Sequence, residues 1–143
     1  MKNNIREMLS EEINEVVDIW YKENISSHPF IPSKSFEDNI ERTKNKFLKS
    51  KVYICRNEIE IQGFICLSGN YIDSLFVKSE YRRQGIGKSL LKHCKSIFWS
   101  LMSKIYMQNE TAVKFFENQS FFVRDKMDSA ETGKTELFME WIR

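Results

Sequence analysis

The spacing of apolar residues changes character near residue 50. Ile5 to Leu9 reads as a short opening strand. Ser10 followed by Glu11 and Glu12 has the chemistry of a helix start, a capping hydroxyl with carboxylates in the first turn. Ile13, Val16, Val17 and Trp20 then fall at i, i+3, i+4 and i+7, one apolar helical face. Both prolines follow, within 26–32, and Pro29 pushes His28 away from helical dihedrals, so a loop is expected there. A second helix is expected over 34–49, with Phe36, Ile40, Phe47 and Leu48 set among charges.

Beyond residue 50 the runs are β-rich. Val52 to Cys55 and Ile61 to Leu67 are separated by the polar turn Arg56-Asn57-Glu58, and Ser68-Gly69-Asn70 turns into Tyr71 to Val77. A polar stretch with glycines (78–87) opens a helix whose buried face is expected to carry Ile86, Leu90, Leu91, Cys94, Ile97 and Phe98. A strand over Ile105 to Gln108, a helix from Glu110 to Asn118 and two strands around 120–127 and 135–142 complete the pattern. This order describes one α/β sandwich-like domain over residues 1–143, with helices covering a mixed sheet. No repeat, linker or low-complexity segment divides it.

Composition narrows the class. A chain of 143 residues fits a single core, and 29% charged residues with eleven Phe argue against disorder. No apolar run approaches the ~18 residues of a membrane span, and the start lacks an apolar signal-peptide core. Cys55, Cys66 and Cys94 are far apart and odd in number, which suggests neither a disulfide framework nor a metal ribbon; they read as small core residues. A cytoplasmic protein without a metal is expected, monomeric or homodimeric. Charge is unevenly spread: residues 1–41 carry nine acids against four bases, net −5, whereas 81–109 carry six bases and no acid. A basic stretch of that kind suits an anion or a phosphorylated ligand. Nucleic acid is disfavoured, since interleaved exposed aromatics and a known motif are both missing.

The basic stretch contains Arg82-Arg83-Gln84-Gly85-Ile86-Gly87-Lys88-Ser89, between an expected strand and an expected helix. Glycines let backbone curve closely around a ligand with N–H groups outward, and the helix start adds unpaired N–H groups and a positive dipole end. Neither the dinucleotide fingerprint nor the P-loop fits, because the required glycine spacing is not there. Leu75-Phe76-Val77 precedes this loop, and Asn109-Glu110-Thr111-Ala112, Phe115-Phe116 and Phe121-Phe122 follow it.

Together these motifs resemble the Gcn5-related N-acetyltransferase (GNAT) family, whose acyl-CoA pyrophosphate loop reads Arg/Gln-x-x-Gly-x-Gly/Ala. The resemblance extends over nearly the whole chain. It implies a mixed, mostly antiparallel twisted sheet of six to seven strands flanked by about four helices. It implies acetyl-CoA as co-substrate, bound by Leu75, Phe76, Val77, the loop from Arg82 to Ser89 (Arg83, Gln84, Gly85, Ile86, Gly87 and Lys88 between them), Asn109, Ala112, Phe115 and Phe116. The implied reaction is direct transfer of an acetyl group to a primary amine in a ternary complex. A catalytically weak CoA-binding regulatory module is the alternative.

Two departures from the family pattern stand out. The tyrosine that protonates the departing thiolate in the family is Phe116 here, and the usual glycine before the final Phe is Ser120. A thiol of pKa ~8.5 needs about 2 kcal/mol of help to leave at pH 7, whereas deprotonating an amine of pKa ~10.4 costs roughly 4.6 kcal/mol. The base is the larger requirement. Asp73, on the strand face of Leu75 and Val77 by the period-two rule, is the first candidate. His28, in the loop resembling the acceptor-side wall, is the second, and Tyr71 is expected in the acceptor channel. His93 reads as a solvated surface residue.

Overall fold

The computed structural model describes residues 4–143. Seven strands form one sheet: β1 (Ile5–Glu7), β2 (Lys51–Arg56), β3 (Ile61–Ser68), β4 (Tyr71–Val77), β5 (Ser100–Tyr106), β6 (Phe122–Asp128) and β7 (Thr135–Ile142). Their spatial order is β1-β2-β3-β4-β5-β7-β6. Every pairing is antiparallel except that of β4 with β5. That parallel pair holds at Tyr71↔Met102 and Ile72↔Ser103 and then splays apart.

Helices cover both faces. α1 (Ile13–Ser27), α2 (Ser33–Glu37) and α3 (Ile40–Lys49) lie on one side, and α4 (Ile86–Lys95) and α5 (Glu110–Asn118) on the other. The core is accordingly double. Val16, Val17, Ile19 and Phe47 meet Ile54, Phe64 and Cys66 beneath the first layer. Leu90, Leu91, Cys94 and Phe116 meet Ile65, Leu67, Ile72, Leu101 and Met139 beneath the second. β3 sends alternate side chains into both clusters, which is why Phe64 to Leu67 is a continuous apolar run. All three cysteines are buried.

Several expectations shift. The single helix over 34–49 is two, because Asn39 breaks it and its side-chain amide donates to the Ser35 carbonyl at 2.6 Å. Leu48 is exposed, since α3 turns Thr43 and Phe47 inward instead. Ser10 makes no capping bond; the Glu12 carboxylate accepts the Leu9 N–H at 2.9 Å and holds that turn. α4 ends at Lys95, the Ser96 hydroxyl bonds back to the His93 carbonyl at 2.5 Å, and Ile97 is exposed. The next strand therefore starts at Ser100 rather than Ile105, with Leu101, Ser103 and Ile105 buried at alternate positions. His93 packs edge-on against Tyr53, centroids 4.5 Å apart, and is only half-solvated.

Candidate active site

The glycine loop takes the shape its sequence allows. Arg83 and Gly85 both adopt left-handed backbone, φ +63° and +80°. Among the described residues, none of the backbone N–H groups of residues 83–88 donates to a protein acceptor, and the Ser89 N–H is the first to bond back, to the Gly85 carbonyl. A run of unpaired N–H groups at a helix start, in alternating backbone conformation, is an anion cradle. Gly87 has a packing reason of its own. A Cβ there would lie 3.2 Å from Cζ of Phe115 and 3.7 Å from Cγ2 of Val77, so the first turn of α4 presses against α5 closely enough that a side chain would push the Phe115 ring by a few tenths of an ångström.

Arg82 is engaged elsewhere. Its guanidinium lies 2.5 Å from the carboxylate of Glu23, a residue of α1 that is only 7% exposed, and the Ser79 hydroxyl contacts the same carboxylate. The ion pair ties the loop to α1, and leaves Arg83 and Lys88 as the exposed cations nearest the cradle.

Past Ile72 the inner edge of β4 is uncovered. Lys78 N–H bonds to the Gln62 carbonyl, so by antiparallel alternation the main-chain groups of Val77 and Leu75 point away from β3, toward the gap between β4 and β5. A cleft of about 220 Å³ opens there, lined by Trp20, His28, Tyr71, Phe76, Tyr106 and Glu136 among others. A second cleft of about 220 Å³, toward α3, shares Trp20, Asp73, Ser74 and Tyr106 with it. Three carboxylates line the two, those of Asp73, Glu131 and Glu136.

The face expected for Asp73 is corrected. Leu67 pairs with Ile72 and Cys66 with Ser74, so Asp73 is the extra residue of a β-bulge. The bulge resets the alternation. Ile72, Leu75 and Val77 pack beneath α4, whereas Asp73 reaches toward α3, where Lys46 Nζ lies 2.9 Å away and the Ser68 hydroxyl donates at 2.5 Å.

His28 stands in a chain of bonds whose direction is fixed by backbone groups at both ends. Asn24 donates its side-chain NH₂ to the Trp20 carbonyl, which turns its Oδ1 toward Nδ1 of His28 at 3.0 Å. Asn109 caps α5 by accepting the Ala112 N–H on Oδ1 at 3.3 Å, which turns its NH₂ toward Nε2 of His28 at 3.2 Å. The imidazole is therefore the neutral tautomer, with Nδ1–H donating and Nε2 accepting. Burial acts the same way, pushing its pKa below the ordinary histidine value. The chain joins α1 to α5 across the mouth of the gap. Around it, the rings of Phe30, Phe36 and Tyr106 lie 5.3–6.1 Å from the imidazole.

Phe116 also lines the cleft, its ring wedged edge-on between Phe115 and Phe121 at 5.5 and 5.0 Å. Tyr71 keeps its proton: burial first, then the charges of Asp73 and Glu136, push its pKa up to about 12. Of the residues singled out from sequence, His28, Tyr71, Asp73, Leu75, Phe76, Asn109, Ala112 and Phe116 share the first cleft. Val77 and Phe115 stand against Gly87 at the cradle instead. Sequence reasoning missed Trp20, Tyr106 and Glu136 as cleft residues. Tyr106 and Glu136 are cross-strand partners on β5 and β7, a proximity that no sequence spacing signals.

A splayed parallel pair beside a glycine-loop anion cradle is the architecture of acyl-CoA-dependent N-acetyltransferases. Residues 49–121 match the family model described as an acetyltransferase (GNAT) domain, and the chain belongs to that family. It is 31% identical over 132 residues to the peptidyl-lysine N-acetyltransferase YjaB of Escherichia coli, covering 91% of this chain and 89% of that one. It is 26% identical over 139 residues to the peptidyl-lysine N-acetyltransferase YiaC of the same organism, covering 96% and 95%. The fold superimposes on the PaiA N-acetyltransferase of Thermoplasma acidophilum, solved in complex with coenzyme A, with a TM-score of 0.85 over the full length of both chains at 20% identity. The protein is an acyltransferase that uses acetyl-CoA as co-substrate, with the sheet and flanking helices that the motifs implied. Among the described residues no helix is long and apolar enough to cross a membrane, and no cluster of metal-ligating side chains occurs.

Proposed function

We propose that the protein acetylates the ε-amine of lysine in polypeptides. The observation that carries this reading is the composition of the paired clefts. Aromatic walls from Trp20, Phe36 and Tyr106 suit the four-carbon stem of a lysine, and the carboxylate of Glu136 suits its ammonium head. The two relatives that carry the name peptidyl-lysine N-acetyltransferase support the same acceptor.

In this reading, the N–H groups of residues 83–88 hold the CoA pyrophosphate and the free edge of Leu75 and Val77 pairs with pantetheine as an added strand would. Donor and acceptor then meet directly in one ternary complex, where main-chain donors of β4 polarise the thioester carbonyl. His28, held neutral, positions Asn109 at the pantetheine side. Phe116 offers no proton, so the thiolate takes one from solvent.

The test is a panel of acceptors assayed with acetyl-CoA by release of free thiol: lysine peptides with blocked N-termini, peptides with a free α-amine only, and spermidine. The expected result is a kcat/KM at least ~10-fold higher for the lysine peptides, a difference of about 1.4 kcal/mol in transition-state binding. A preference for the α-amine or for the polyamine would overturn the assignment.

A further inference from the structure

We propose that Glu136 is the general base of the transfer, taking the proton from the acceptor ammonium. Its position comes from the strand order. Glu136 sits opposite Tyr106 on β5 and opposite Met127 on β6. The preceding register pair, Ile105↔Leu137, packs into the core beneath α4, so Tyr106 and Glu136 project to the other face and into the cleft.

Its partners, or their lack, separate it from the other carboxylates there. Asp73 is held by Lys46 at 2.9 Å and Ser68 at 2.5 Å. Glu131 pairs with Arg42 at 3.6 Å. Among the described residues Glu136 has no hydrogen-bond donor and no ion pair, although it lines a cleft between aromatic rings. A carboxylate already saturated by an ammonium and a hydroxyl has little left to offer a substrate, whereas one without donors has both oxygens available.

The charged and titratable groups facing it are Tyr71 and Asp73 of β4, Lys104 and Tyr106 of β5, His28 just after α1, and Glu131 ahead of β7, while β6 sets the apolar Met127 opposite it. Burial is the largest influence and makes Glu136 more basic than an ordinary carboxylate. Glu131 adds to this, and Lys104 opposes it. The direction is the useful one, since a stronger base nearer the working pH transfers protons more effectively.

The step balances without any further reactant. Glu136 accepts one proton from the ammonium, and the freed lone pair attacks the thioester carbonyl. Collapse of the tetrahedral adduct breaks the C–S bond. The nitrogen's second proton is matched by the proton that the leaving thiolate takes up, and Glu136 returns its own to solvent.

The inference rests on the acceptor being a cationic amine, and the experiment keeps that apart from the lysine reading. Wild type and Glu136→Gln are compared on the three-amine panel, with a lysine analogue of lower amine basicity (a sulfur in place of the γ-methylene) added. Expected for Glu136→Gln is a fall in kcat/KM of about 10²-fold or more at pH 7, with acetyl-CoA affinity and melting temperature near wild type. The defect should shrink several-fold on the less basic analogue, and the variant's rate should climb with pH where the wild type levels off. Added formate should partly restore Glu136→Ala, a readout that a purely structural role would not move. Normal turnover by Glu136→Gln on the lysine peptide, or an equal defect on both amines with no rescue, overturns the proposal and leaves the lysine reading intact. Loss of activity on α-amine or polyamine acceptors favoured by the wild type upholds Glu136 and removes lysine.

Discussion

At the scale of single residues, Phe116 and His28 each make a prediction that pH can test. Phe116 stands where the motif resemblance puts the family's tyrosine, 6% exposed and lining the cleft. On the proposed placement of acetyl-CoA, Phe116→Tyr puts a hydroxyl where the thiolate leaves; we expect a rise in kcat of up to ~10-fold, largest below pH ~8, where an unassisted thiolate leaves poorly. Steady-state rates across pH 6–9 check it, and a flat ratio of variant to wild type would show that leaving-group protonation is not limiting. His28 makes a second prediction. Burial lowers its folded pKa, so below the unfolded value of ~6.5 the unfolded chain binds the proton first and stability falls as pH drops from about 6.5 toward the lowered value. Above that window the effect vanishes. His28→Gln should lose about 1–3 kcal/mol at pH 7 through the two broken bonds, yet show a shallower fall between pH 7 and 5. Melting curves of both proteins over that range are the measurement; parallel curves would mean that His28 is not the group titrating.

At the scale of elements, the turn after α5 is where sequence and geometry conflict. Ser120 adopts φ +70°, a left-handed conformation that glycine takes without strain and a Cβ resists. The turn keeps that shape because Ser120 N–H bonds to the Glu117 carbonyl and Phe121 N–H to the Phe116 carbonyl, both at 3.0 Å, while Phe121 is buried just beyond. Ser120→Gly should therefore relieve strain and stabilise the fold by about 1 kcal/mol, less what the more flexible unfolded chain takes back. Thermal denaturation should show a rise of a few degrees; a fall would mean that the serine's conformation costs less than the added chain entropy.

At the scale of the whole molecule, one break in the sheet organises everything else. β4 and β5 pair over two register positions and then separate, so a single strand presents the basic glycine loop at one end and the acidic, aromatic clefts beside its middle. That polarity suits an anionic donor and a cationic acceptor brought together from opposite sides. Closure is left to side chains, with the chain from Asn24 through His28 to Asn109 spanning the gap and the Arg82–Glu23 pair fastening the loop to α1.

How much of this was legible beforehand follows from the range of each signal. The glycine loop, the apolar faces of α1 and α4, the β-rich run of β3 and a Phe at position 116 of the motif are local patterns, and the sequence by itself determined them. Backbone permissiveness at Gly85 and the alternation of side chains act within a few residues. The placement of Asp73, the engagement of Arg82 and the arrival of Glu136 beside Tyr106 were decided only by the tertiary structure. A bulge inserts one residue and reverses a period-two expectation, and nothing in the run Tyr71 to Val77 announces it. Glu136 reaches the cleft because β7 lies between β5 and β6, a strand order set by which apolar faces can be buried together, not by any spacing along the chain.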